Sequence, residues 1–279
     1  MNARVLELRG AGALSLAAEA WGDPARPPVL LSHGGGQTRH SWRDTARILA
    51  ARGWYVVNYD HRGHGESAWS ADGDYSLELH AADQRAVARS FATPPIVVGA
   101  SLGGLSALLA QGEWDEPLYR AIVLVDITPR MNEAGAREIM DFMEGTAREG
   151  FASLDEAAQV IAGYTGREKR VNAAGLAKNL RLGDDGRYYW HWDPNILSLR
   201  GDATGQPDRL EDATRNIDLP MLLVRGRESN VVTEETARLF LQLRPDAAYV
   251  DVADARHMVV GDRNEIFTRA VIEFIDSLD

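Results

Sequence analysis

Short runs of consecutive apolar residues alternate along the chain with stretches whose apolar positions recur every three or four residues. Val29-Leu30-Leu31-Ser32, Trp54 to Asp60, the run ending in Val97-Val98-Gly99-Ala100, Ala121 to Pro129, Met221 to Gly226 and Ala248 to Val252 are rich in branched residues, and most read as strands buried on both faces. Between them, Ser41 to Arg52 carries an apolar stripe at Trp42, Ala46 and Leu49 and is stopped by Gly53. Leu77 to Phe91, the segment after Ser101, Glu234 to Leu243 and Asn264 to Leu278 are the other helices of the series. Strands that alternate with helices predict a mostly parallel sheet covered on both faces. Ahead of it, Val5 to Leu8 and Leu14 to Trp21, joined through Gly10-Ala11-Gly12, predict an antiparallel hairpin at one edge.

The alternation stops between Arg130 and about Arg215. Met131 to Gly145 and Leu154 to Tyr164 predict helices, and Gly186 to Pro194 holds the densest aromatic cluster of the chain. We therefore expect residues 130–215 to be a lid inserted into a core of residues 1–129 and 216–279. Its aromatics would either roof a pocket or bind the insertion to the body.

Composition narrows the chemistry. At 279 residues the chain is long enough to bury a core without staples, and with no Cys it has neither disulfides nor a thiolate ligand or nucleophile. A net charge of −11 argues against a nucleic-acid surface. The opening Met1 to Arg9 mixes charges into its apolar positions, and no window reaches the ~18 apolar residues of a membrane span. The expectation is a soluble, cytoplasmic protein that engages neither nucleic acid nor membrane. The seven His lack the spacing of a metal site, so no metal is expected.

Three features carry candidate chemistry. Gly99-Ala100-Ser101-Leu102-Gly103 is a G-x-S-x-G pattern between a strand and a helix, a turn so cramped that a side chain at either Gly would collide with the packed backbone. His33-Gly34-Gly35-Gly36 ends the Val29 strand and can bring a backbone N–H close to a ligand. Asp126 stands at the carboxyl end of another strand, and His257 follows the last one. In Asp60 to Ser67, Asp60 and Arg62 are expected to brace the turn through hydrogen bonds to backbone, with His61 and His64 solvated or standing behind the site.

Taken in order, His33-Gly34-Gly35, Asp60-x-Arg62-Gly63-x-Gly65-x-Ser67, the Ser101 elbow, the lid-like insertion and His257 resemble the α/β-hydrolase superfamily over essentially the whole chain. Val125-Asp126-Ile127-Thr128-Pro129 is similar to the strand end of its esterase and lipase-like members. The resemblance implies an eight-stranded, mostly parallel sheet with helices on both faces and a helical cap. It makes Ser101 the nucleophile, His257 its base, and the N–H groups of Gly35 and Leu102 the oxyanion hole. The substrate pocket is then expected around Gly36, His40, Tyr164, Trp190, Trp192 and Met258. No cofactor is implied.

The acid departs from the pattern. Most relatives place it in the loop Arg227 to Val232, where this chain has Ser229 and Asn230. Asp126 and Glu228 are the two carboxylates that could replace it, and Asp126 is favoured because Glu228 stands one residue early. With Ser101 rather than a carboxylate at the elbow, the expected reaction is hydrolysis of a small apolar or aromatic ester or lactone through an acyl-enzyme. The alternatives are a carbon–carbon bond hydrolase, a cofactor-free perhydrolase, or a ligand-sensing protein without catalysis. Sequence says nothing of oligomeric state.

Overall fold

The computed structural model describes residues 2–165, 176–200, 206–253, 255–257 and 265–278. Among the described residues there are ten strands: β1 (Arg4–Arg9), β2 (Ser15–Trp21), β3 (Pro28–Ser32), β4 (Tyr55–Tyr59), β5 (Ile96–Ala100), β6 (Ala121–Val125), β7 (Leu180–Leu182), β8 (Tyr188–Trp190), β9 (Met221–Gly226) and β10 (Ala248–Val252). Eight of them form one sheet in the order β1-β2-β4-β3-β5-β6-β9-β10. β2 runs antiparallel to β1 and β4, and every pair from β4 to β10 is parallel. The predicted hairpin is thus the edge of the sheet.

Neighbouring residues of a strand point to opposite faces, so each buried strand feeds two cores. Val29 and Leu31 pack with Trp42, just ahead of α1 (Arg43–Ala51), with Ala46 and Leu49 of α1, and with Phe267, Val271 and Ile275 of α8 (Glu265–Asp276). Leu30 and Val97 face the other way, towards α2 (Leu77–Ala88) and α3 (Leu102–Gly112). Cutting Leu30 to Ala would cost about 2–5 kcal/mol, because both neighbouring strands hold the cavity open. Gly53, at φ +95, ends α1 as expected: its N–H reaches Ala50 O and that of Trp54 reaches Leu49 O.

Between β6 and β9 lie α4 (Glu133–Ala147), α5 (Leu154–Thr165), the two-stranded β7–β8 pair and α6 (Pro207–Arg215). The sequence marks α4 and α5 but gives no sign of the β7–β8 pair. α6, at the end of the 130–215 span, lies directly on α3: a Cβ on Gly112 would meet Ala213 O at 2.1 Å. After β9 comes α7 (Glu234–Leu243), capped by Thr233, whose side chain accepts the Thr236 N–H. Among the described residues, no helix is long and apolar enough to cross a membrane.

Candidate active site

All the candidate groups lie beyond the carboxyl ends of parallel strands, where open sheets of this kind bind ligands. Ser101 sits between β5 and α3 at φ +46, a left-handed conformation that costs a non-glycine residue about 1–3 kcal/mol. Packing enforces it. A Cβ on Gly99 would meet the carbonyl carbon and oxygen of Gly103 at 2.6 Å, and one on Gly103 would meet Ser32 O at 2.5 Å.

Asp126 follows β6, the neighbour of β5, and the Ser101 N–H donates to Val125 O at 3.4 Å. Asp126 also has positive φ, +50, and is fully buried. Its carboxylate is held from three directions. Oδ1 accepts the Gly226 N–H at 2.9 Å, and Oδ2 lies 2.8 Å from Ser229 Oγ and 2.7 Å from His257 Nδ1. Ser229 Oγ itself accepts the N–H groups of Val231 and Val232, so its own proton goes to Asp126. The loop position that resemblance assigns to an acid therefore still serves the carboxylate, as a donor. Glu228 turns away, exposed and paired with Arg256 at 3.1 Å.

Opposite this group, the loop after β3 lies against Ser101: a Cβ on Gly34 would be 3.2 Å from the serine Cβ. A Cβ on Gly35 would be 4.0 Å from Leu102 Cδ2, so the two candidate oxyanion donors belong to neighbouring residues. Neither N–H has a partner among the described residues. At Leu102 this is the open first turn of α3.

Behind the loop stand four fully buried histidines, 33, 61, 64 and 80, with ring centroids 4.7–6.4 Å apart. Burial is the main cause that lowers the pKa of His33 to about 4 and of His64 to about 3, and it pushes His61 and His80 well below the usual range. Arg39 and His40 depress His33 further, and His33 does the same to His64. His61 and His64 are therefore not solvated: the turn folds under the loop and expels water. His64 Nε2 accepts the Gly36 N–H at 3.1 Å. Asp60 braces the turn as expected, accepting the backbone N–H groups of Arg39 at 2.6 Å and Glu66 at 3.0 Å, and it also pairs with the Arg39 guanidinium. Arg62 departs from the expectation of a backbone partner, because its fork closes on the Asp83 carboxylate at 2.6 and 2.7 Å.

The residues expected around the pocket are spread out. Gly36 is in the loop, while His40 lies 3.8 Å from Glu19, beside Arg43 on the same carboxylate. Trp190 and Trp192 are buried and stack on each other at 6.4 Å. Trp190 donates to Thr146 Oγ1 of α4 within the inserted segment, and the backbone of Trp192, not its indole, bridges to His64 of the body. Tyr164 stacks on Phe142 at 4.0 Å beside an open groove of about 430 Å³ shared with Arg137, Glu138 and Asp141. Met258 lies outside the described residues. Among the described residues, no group of three His, Asp or Glu could hold a metal ion.

Sequence reasoning gave no role to His33 or to the Ser229 hydroxyl. The signal available for His33 was its place ahead of three glycines that have no side chains of their own to hold the loop.

Comparison with known proteins agrees with this geometry. The chain is 32% identical over 284 residues to the esterase Rv0045c of Mycobacterium tuberculosis, covering 99% of this chain and 90% of that protein. It is 27% identical over 261 residues to a 2-(acetamidomethylene)succinate hydrolase of Mesorhizobium japonicum, covering 90% and 88%. The crystal structure of an E-2-(acetamidomethylene)succinate hydrolase superposes with a TM-score of 0.83 over 99% of this chain and all of that one, at 23% identity, and shares its fold. The model of the alpha/beta hydrolase family matches residues 29–270. With an elbow serine, a buried carboxylate on an imidazole and that match over most of its length, the chain belongs to the alpha/beta hydrolase family.

Proposed function

We propose that this hydrolase cleaves a carboxylic ester or lactone of a small apolar or aromatic substrate through an acyl-enzyme on Ser101. The observation that carries the reading is the 2.7 Å contact of His257 Nδ1 with Asp126 Oδ2, at the end of the strand next to the elbow. With Nδ1 committed to the carboxylate, Nε2 is the ring nitrogen left to take the serine proton. Ser101 Oγ attacks the carbonyl carbon as that proton passes to His257. The oxygen that becomes negative lies between the N–H groups of Gly35 and Leu102. His257 then gives the proton to the departing alcohol, and water, activated by the same imidazole, releases the acid.

Residues 130–215 act in this reading as a lid on the core of residues 1–129 and 216–279, and the esterase relative supports the ester class. Stopped-flow turnover of p-nitrophenyl butyrate tests it. The expected result is a burst of p-nitrophenol equal to the enzyme concentration, absent in Ser101→Ala. Undiminished turnover in that variant would refute the assignment.

A further inference from the structure

We propose that His33 is a positioning residue that aims the Gly35 N–H at the developing oxyanion, by holding the carbonyl at the other end of the same peptide. The proposal rests on the serine-hydrolase reading above and adds a residue to it.

The carbonyl of Gly34 and the N–H of Gly35 belong to one planar trans peptide and point in opposite directions, so fixing one aims the other. Three successive glycines leave that peptide free of steric guidance, and its orientation has to come from partners. Gly34 O has two of them. The Gln37 N–H closes the turn at 3.1 Å, and His33 Nδ1 lies at 2.7 Å, the shorter contact. The opposite end, the Gly35 N–H, is unpaired among the described residues, and the two residues of this peptide lie against Ser101 and Leu102: an added Cβ would be 3.2 Å from Ser101 Cβ at Gly34 and 4.0 Å from Leu102 Cδ2 at Gly35.

The direction of the His33 bond follows from its other nitrogen. Nε2 accepts the His61 N–H at 3.0 Å, so the single proton of the neutral ring is on Nδ1 and is donated to Gly34 O. The ring is fully buried, and the lowered pKa keeps it in this neutral form at ordinary pH. A donor on the carbonyl also polarises the peptide and strengthens its N–H as a donor.

His64 does the same on the following peptide. Its Nε2 takes the Gly36 N–H at 3.1 Å while its Nδ1 donates to Arg62 O at 2.9 Å. Both peptides that flank the Gly35 Cα are thus held by neutral imidazoles. A ring suits the task because it places a donor and an acceptor on opposite edges of one rigid group.

Two substitutions separate the two edges of His33. His33→Gln can offer a carbonyl oxygen where Nε2 lies and keep the His61 N–H paired, but it lacks the donor to Gly34 O. His33→Asn can offer an amide N–H where Nδ1 lies and leaves His61 unpaired. Turnover of p-nitrophenyl butyrate is read together with inhibition by a trifluoromethyl ketone. The Ser101 oxygen adds to that ketone carbon, the serine proton passes to His257, and the former carbonyl oxygen carries the charge. Deleting an oxyanion donor costs about 10²–10³ in kcat, and misaiming one should cost about 10–10². His33→Gln is expected to lose that factor in kcat and in trifluoromethyl ketone affinity, with KM and affinity for the plain methyl ketone within about twofold of wild type. His33→Asn should recover most of the loss.

Wild-type kcat and trifluoromethyl ketone affinity in His33→Gln, or equal losses in the two variants, would overturn the proposal. Should either variant fail to fold, long-range ¹H–¹⁵N spectra of the wild-type protein decide: a proton on Nδ1 of His33 supports the role and a proton on Nε2 refutes it. A wild-type protein that forms no trifluoromethyl ketone adduct would instead overturn the serine-hydrolase reading itself.

Discussion

The two sides of the candidate site are built from opposite electrostatic materials. On the acid side, a buried carboxylate is stabilised by a backbone N–H, the Ser229 hydroxyl and the His257 ring. That side needs its charge. On the oxyanion side the loop is held by imidazoles that function only while uncharged, because His33 Nε2 and His64 Nε2 must accept backbone N–H groups. Protonating either ring would set two donors against each other. In the proposed mechanism both sides serve the reaction at Ser101, but one depends on keeping a charge and the other on excluding one.

The largest effect should come from the charged side. Asp126→Asn leaves shape and packing nearly intact but removes the charge that stabilises the imidazolium, and kcat should fall about 10⁴-fold. Steady-state kinetics on the pure variant check this, and a loss below tenfold would mean that another group serves as acid. Ser229→Ala is milder. It removes one donor from Asp126 Oδ2, a hydrogen bond to a charged group worth about 1.5–3 kcal/mol, and kcat should drop about tenfold or somewhat more with little change in KM.

The neutral side predicts a pH dependence of stability. The pKa of His33 is lowered from 6.5 to about 4 and that of His64 to about 3. Between these values and 6.5 the unfolded chain binds more protons than the folded one, so stability is present above pH 6.5 and is lost as pH falls. Each such group contributes a slope of about 1.4 kcal/mol per pH unit in that window. Thermal melts from pH 7 to 4.5 should show the midpoint falling. His64→Gln, which keeps an acceptor for Gly36 but cannot charge, should show a shallower fall. The smallest effect belongs to Glu228→Gln: exposed and paired with the exposed Arg256, this carboxylate should change kcat less than twofold, a change small on the scale of about 1.4 kcal/mol per factor of ten.

Much of the fold was legible because its causes are local. Buried parallel strands must be apolar on both faces, so Val29-Leu30-Leu31 and Ile122-Val123-Leu124 declare themselves, and Gly53 stops a helix by its own conformation. The serine elbow was legible for the same reason, since Gly99 and Gly103 are required by contacts within the turn. What escaped depends on distant contacts. The β7–β8 pair is three residues per strand and is extended by a bridge from Tyr188 to the distant Phe151, for which its aromatic run gives no period. The service of Ser229 to Asp126 joins residues 103 positions apart. A histidine in a glycine-rich loop looks exposed in sequence, and only the assembled turn shows that three of them share one buried compartment with His80 of α2.

The central claim is that acyl transfer passes through the Ser101 hydroxyl, and intact-protein mass spectrometry after treatment with a fluorophosphonate tests it most directly. The account predicts one phosphonyl group per chain, located on the peptide that contains Ser101, with hydrolysis of the ester lost in step with labelling. A protein that hydrolyses the ester while Ser101 stays unlabelled, or that loses activity through a label elsewhere, would contradict it.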